Sequence, residues 1–122
     1  MRLLLDTHAF LWVREKDRRI IAIADTLQGS EVRVSLVSAW EIAIKRSLGK
    51  LEVPESFEIG LADSRFALQP IELRHAEAVV NLPFHHRDPF DRMLVAQCKV
   101  EGLTLVTGDH RLEPYDIPFL WL

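Results

Sequence analysis

Two short apolar runs, each leading to a carboxylate, constrain this chain more than any other feature. Leu3-Leu4-Leu5 stops at Asp6, and Leu103-Thr104-Leu105-Val106 passes through Thr107-Gly108 to Asp109. A strand with one wet face alternates apolar and polar residues. A run without alternation suits a central strand covered on both faces, as in a parallel sheet. Val32 to Val37 is a third, β-branched candidate, and weaker strands are expected near Ala67 to Ile71 and Phe119 to Leu122. Helical patterns fill the intervals at Thr7 to Arg14, Arg18 to Leu27, Ser38 to Leu48, Ser56 to Arg65, Arg74 to Val80 and Pro89 to Glu101. In the last of these, Asp88 is the expected N-cap, Pro89 the first helical residue and Gly102 the stop. Strands alternating with helices predict an α/β fold on a mainly parallel sheet. With no repeat and no Gly/Ser linker, residues 1–122 read as one domain.

Composition excludes several classes. Hydrophobic residues make up 48% of the chain, enough for a packed core rather than a disordered tail. A net charge of −3 argues against a nucleic-acid coat protein, whose binding needs broad positive charge, but not against an enzyme acting on nucleic acid at one place. The single cysteine, Cys98, excludes a disulfide scaffold and suits a reducing compartment. No apolar run approaches the roughly 18 residues of a membrane span, and Leu3–Leu5 is too short for a signal peptide. A cytoplasmic location is therefore expected.

The functional signal is where the acids fall. Asp6 and Asp109 each follow a buried strand, and ligands of open α/β sheets bind outside the carboxyl ends of the strands. The plainer reading is that each merely begins a turn. Asp91 shares a helical stripe with Leu94, Val95 and Cys98, and Glu41 shares one with Ile44 and Leu48, so both are expected to point inward from a first turn. Glu41 also has a structural alternative, as the third residue of a capping box begun by Ser38. For Asp91 the alternative is an ion pair with Arg87 or Arg92. No matching set of inward Lys or Arg is visible, and unpaired buried charge is costly. A divalent cation is the economical neutraliser, and an all-oxygen site suits Mg²⁺ or Mn²⁺ better than zinc. His8, His85, His86 and His110 lie near these acids, which leaves a mixed site open beside the plain reading of solvated loop histidines.

The segments LLLDTHAFLW (3–12), SAWEIAIKRSLGKL (38–51), HRDPFDRMLVAQ (86–97) and LVTGDHRL (105–112) closely resemble a PIN domain, and more narrowly the VapC-type toxin of bacterial toxin–antitoxin pairs. The likeness covers nearly the whole chain, with four motifs in order. It implies a three-layer α/β/α sandwich with an acidic site for Mg²⁺ or Mn²⁺, formed by Asp6, Glu41, Asp91 and Asp109. Asp88 is an expected N-cap first and an auxiliary ligand second. Thr107 and, more weakly, Thr7 are expected to hydrogen-bond a ligand carboxylate or a bound water.

The chemistry so implied is hydrolysis of an RNA phosphodiester, with an antitoxin and a second copy of the chain as partners. No phosphate-cradling Gly-rich loop competes, and an Asp-x-Asp phosphatase motif is excluded because residue 8 is His. His110, Arg111, Arg87 and Arg92 are candidate RNA contacts. Further rim cations are Arg14, Lys16, Arg18, Arg19, Lys45, Arg46 and Lys50. Phe10, Leu11, Trp12 and Trp40 read as core, or as a hydrophobic groove for an antitoxin helix. The competing class is a PIN-like module that binds RNA or protein without cutting.

Overall fold

The computed structural model describes residues 1–122. Five strands, β1 (Arg2–Leu5), β2 (Glu31–Ser35), β3 (Ala67–Gln69), β4 (Thr104–Thr107) and β5 (Phe119–Trp121), form one sheet. Their order is β3-β2-β1-β4-β5, and every pairing is parallel. Seven helices connect them: α1 (Thr7–Glu15), α2 (Arg18–Ile21), α3 (Ala24–Gln28), α4 (Leu36–Ser47), α5 (Phe57–Ser64), α6 (Leu73–Val79) and α7 (Pro89–Glu101). A 3-10 turn at His110–Leu112 precedes β5.

The unbroken apolar run of β1 has a direct structural cause. Side chains of a strand alternate between faces, so Leu3 and Leu5 enter one core with Phe10, Val34, Ile42 and Val106. Leu4 enters the other, with Leu94, Val95, Leu103 and Leu105. Both faces are covered, and the architecture is the three-layer α/β/α sandwich. On α7 the expected cap holds: Asp88 Oδ1 accepts from the Phe90 and Asp91 amides at 2.8 and 3.3 Å. The helix stops at Gly102, whose φ of 68° is a left-handed conformation that glycine adopts without a Cβ clash. No helix is long and apolar enough to cross a membrane.

Two elements differ from the sequence-based expectation. Helix α4 starts at Leu36, not Ser38, because Ser35 ends β2 and caps the helix, its Oγ accepting from the Val37 amide at 3.0 Å. Ser38 lies inside the helix, so Glu41 is in the second turn and makes no capping box. The expected helix from Arg18 to Leu27 is two short ones, broken at Ile23, whose φ of −115° and ψ of 15° leave the helical region.

Candidate metal centre

The strand order reverses direction between β1 and β4, which start neighbouring crossovers on opposite sides. A crevice opens at the carboxyl ends of such a pair. Asp6 lies at the end of β1, its amide bonded to Val106 O at 3.0 Å, and Asp109 lies just beyond β4. Asp6 is buried and caps α1, its Oδ1 accepting from the Ala9 amide at 2.7 Å. Burial raises its pKa, opposed by the hydrogen bonds from Thr107 and Ala9. Thr107 also accepts from the Asp109 amide at 3.0 Å, so one buried hydroxyl ties the two strand ends together.

Helix α4 brings Glu41 to the same crevice. Thr7 Oγ1 donates to its Oε1 at 2.6 Å and shares a 3.0 Å hydrogen bond with Ser38 Oγ. Lys45 Nζ donates to its Oε2 at 2.8 Å. The first turn of α7 adds Asp91 and its cap Asp88. Asp91 is the electrostatic centre of the group: its pKa is pushed up to about 7, chiefly by burial, then by the negative charges of Asp88, Asp6, Glu41 and Asp109. Asp109 is displaced the other way. Arg111 clasps it through Nε at 2.9 Å and Nη2 at 2.8 Å, and this holds its carboxyl well below the usual range.

His86 was expected either in solvent or as part of a mixed site, and the structure assigns it a more specific place. Its Nε2 lies 3.3 Å from Asp91 Oδ2 and 3.2 Å from Asp109 Oδ2. Its Nδ1 accepts from the Asp88 amide at 3.2 Å, which leaves the ring hydrogen on Nε2. In that tautomer His86 donates to the two carboxylates and is not itself a metal ligand. The sequence signal was its position two residues before the helix cap, but nothing local distinguished it from His85.

Arg92 does not face the site. It is buried, with Nη1 donating to Pro83 O at 2.8 Å and to Tyr115 Oη at 3.0 Å, and its guanidinium lies 4.0 Å from the Phe84 ring centre. It holds the loop before α7, so it corrects the expected RNA contact and the expected Asp91 partner alike. Tyr115 Oη in turn accepts from the His86 amide at 3.2 Å. Arg92→Met is expected to lower stability by about 3 kcal/mol, since the loop carbonyls lose a charged donor. A urea midpoint unchanged from the parent protein would refute this role. Arg87, by contrast, is exposed and makes no ion pair; with Phe84, His85, His86 and Arg111 it lines a recess of about 300 Å³ beside Asp109.

The large apolar residues do not share one corner. Phe10 is core, Trp12 lies under Arg19 with the guanidinium 4.0 Å from its ring, and Trp40 is 59% exposed on a different helix.

The donor set fits a divalent cation. Five carboxylates converge, of Asp6, Glu41, Asp88, Asp91 and Asp109, and side-chain cations pair with two of them, Lys45 with Glu41 and Arg111 with Asp109. His86, Asp91 and Asp109 bring their polar atoms within 4.8 Å of one another, and with the hydrogen on His86 Nε2 the two carboxylates of this group are the ones left to hold an ion. Asp6 and Glu41 border that group rather than belong to it.

An α/β/α sandwich with acids gathered at the switch point of a parallel sheet defines a class of acidic-site α/β proteins. The PIN domain family model matches residues 3–118, and the chain belongs to that family. Solved structures agree on the fold. A chain of the DNA-bound VapBC from Salmonella typhimurium superposes with a TM-score of 0.70 and 18% identity, over 98% of this chain and 97% of that one. For VapBC2 from Rickettsia felis, bound to a promoter DNA fragment, the values are 0.72 and 14%, over 98% of both chains. For a toxin–antitoxin complex from Klebsiella pneumoniae they are 0.67 and 19%, over 97% and 95%. A search of curated proteins gives no significant match.

Proposed function

We propose that this protein is a metal-dependent endoribonuclease, the toxin of a toxin–antitoxin pair, cutting RNA at the crevice between β1 and β4. The observation that carries the reading is the position of Asp91, whose carboxyl is pushed up to about 7 by burial and four neighbouring acids. Such a concentration of like charge is unfavourable in an empty protein and favourable around a cation. Asp6, Asp91, Asp109 and Glu41 would hold Mg²⁺ or Mn²⁺. When bound, the ion supplies a more acidic water and neutralises charge on the scissile phosphate.

The chain's own residues do the positioning. Thr7 and Lys45 hold both oxygens of Glu41, and Thr107 links Asp6 to the backbone of Asp109. His86 holds Asp91 and Asp109 through one N–H. Asp91 would accept a proton from the attacking water. In-line attack at phosphorus then expels the 3′-oxygen, which takes up a proton from solvent, giving 5′-phosphate and 3′-hydroxyl ends. Arg87 and Arg111, on the rim, meet backbone phosphates, contacts that position a strand without reading its sequence.

The antitoxin and a second copy of the chain are the partners this reading carries, within the cytoplasm. The solved structures named above include toxin–antitoxin complexes, and Trp40 and Phe84, 59% and 82% exposed, border an apolar cleft with Ile71, Phe90 and Met93. Exposed apolar surface of this kind suits a protein partner.

The test is incubation of the purified protein with an RNA pool and Mg²⁺ or Mn²⁺. Cleavage with 5′-phosphate ends, abolished by EDTA, is expected; intact RNA overturns the reading. If the parent protein binds RNA without cutting it, and that binding survives neutralisation of the acids, the protein is a binding module instead. With metal well below saturation, cleavage should also fall as pH drops through about 7, because protons then compete with the cation for Asp91. A rate independent of pH across this range would contradict that role.

A further inference from the structure

Six aromatic pairs occur in the fold, and four of them are tilted or edge-on: His8–Trp12 at 43°, Phe10–Phe57 at 48°, Trp40–Phe90 at 76° and His85–Tyr115 at 71°. The two near-parallel pairs share one ring. Trp121 stacks on Phe119 at 4.5 Å and 15°, and His110 stacks on Trp121 at 4.3 Å and 17°. Phe119 and Trp121 are two residues apart on the edge strand β5, and Phe119 packs against the core. His110 is exposed at the other end, next in sequence to Asp109 and Arg111. The ladder therefore runs from the core to solvent, and its outer ring, His110, lies in the chain between Asp109 of the acidic crevice and Arg111, which lines the adjoining recess with Arg87.

We infer that His110, Trp121 and Phe119 form a stacking platform for one unpaired base of the RNA strand whose phosphodiester lies at the acids. This rests on the ribonuclease reading and adds a subsite to it. A flat, solvent-facing heteroaromatic ring extending a parallel ladder offers what a splayed base requires. Flanking arginine supplies the phosphate contact. A base in a duplex is already stacked on its neighbours, so the platform selects single-stranded RNA and tolerates any base.

The experiment measures binding of a labelled short single-stranded RNA, and of the same ribose-phosphate strand without bases, to the cleavage-silent Asp6→Asn protein. Adding His110→Ala should weaken RNA binding between about fivefold and a hundredfold. His110→Phe should restore it, and the baseless strand should bind all three proteins alike. Trp121→Leu, which removes the support under His110, should weaken RNA binding as well, with melting curves confirming that each variant is folded. RNA binding unchanged by His110→Ala overturns the platform, as does equal loss for the baseless strand, or no binding of RNA to the Asp6→Asn protein. Cleavage by the wild-type protein is scored separately. If it cuts RNA while His110→Ala binds normally, only the platform falls; if it cuts no RNA, the ribonuclease reading falls.

Discussion

In metal-free buffer near about pH 8, the Asp91→Asn protein is expected to melt roughly 5–10 °C above its parent. The carboxyl of Asp91 titrates at about 7 in the folded chain against 3.8 without the fold. A raised carboxyl favours the proton in the folded state. The associated stability is fully present below 3.8 and is lost as pH rises through about 7. Each factor of ten in proton affinity corresponds to about 1.4 kcal/mol, which sets a ceiling near about 4 kcal/mol. The side chain keeps 19% exposure, and solvent screening leaves on the order of 2–3 kcal/mol. Asparagine removes this term while its amide oxygen still accepts from His86. Near about pH 4 the two proteins should converge, since Asp91 is then protonated. Adding Mn²⁺ or Mg²⁺ should stabilise the parent most at the higher pH, by about 3 kcal/mol when the ion is at a hundred times its dissociation constant, and raise its melting temperature accordingly. The asparagine variant should respond little. If Asp91→Asn melted below its parent at both pH values, the acids would be balanced within the protein and the case for a cation would fail.

The Asp6→Asn protein is expected to lose about a thousandfold or more in RNA cleavage while keeping its fold. Asp6 has two separable functions. As the N-cap of α1 it accepts from the Ala9 amide at 2.7 Å, and asparagine caps a helix about as well as aspartate. As a buried carboxylate at the end of β1 it supplies charge to the crevice, which asparagine does not. Burial already raises its pKa, so a neutral isostere is tolerated or mildly stabilising. Asp6→Ala loses the cap as well, at about 1 kcal/mol. Initial rates and melting curves for the two variants separate the functions. Cleavage by Asp6→Asn within tenfold of the parent, at saturating metal, would remove Asp6 from the site.

Short-range features were legible in the sequence. The unalternated run of β1 is what a strand covered on both faces requires, and Asp88-Pro89 with Gly102 brackets α7 through capping rules that act within a turn. The acids after β1 and β4 were legible for the same reason, since a parallel sheet places all carboxyl ends on one side. The start of α4 was not legible. The sequence pattern puts the cap at Ser38, after a strand running to Val37, whereas the pairing of β2 ends at Val34 with β1 and at Ser35 with β3, so Ser35 caps the helix.

What the sequence determined by itself was thus the class of fold, the element that carries each acid and the end of the sheet where they meet. Tertiary structure decided which neighbours each charge has. Arg92 and Arg111 are alike on paper, yet one is buried under Phe84 and the other clasps Asp109. His85 and His86 are adjacent, yet only His86 reaches two carboxylates from separate elements. The physical reason is range. Capping and periodicity are settled within a few residues of chain, whereas ion pairs, desolvation and ring stacking depend on atoms brought together from distant segments only when the sheet closes.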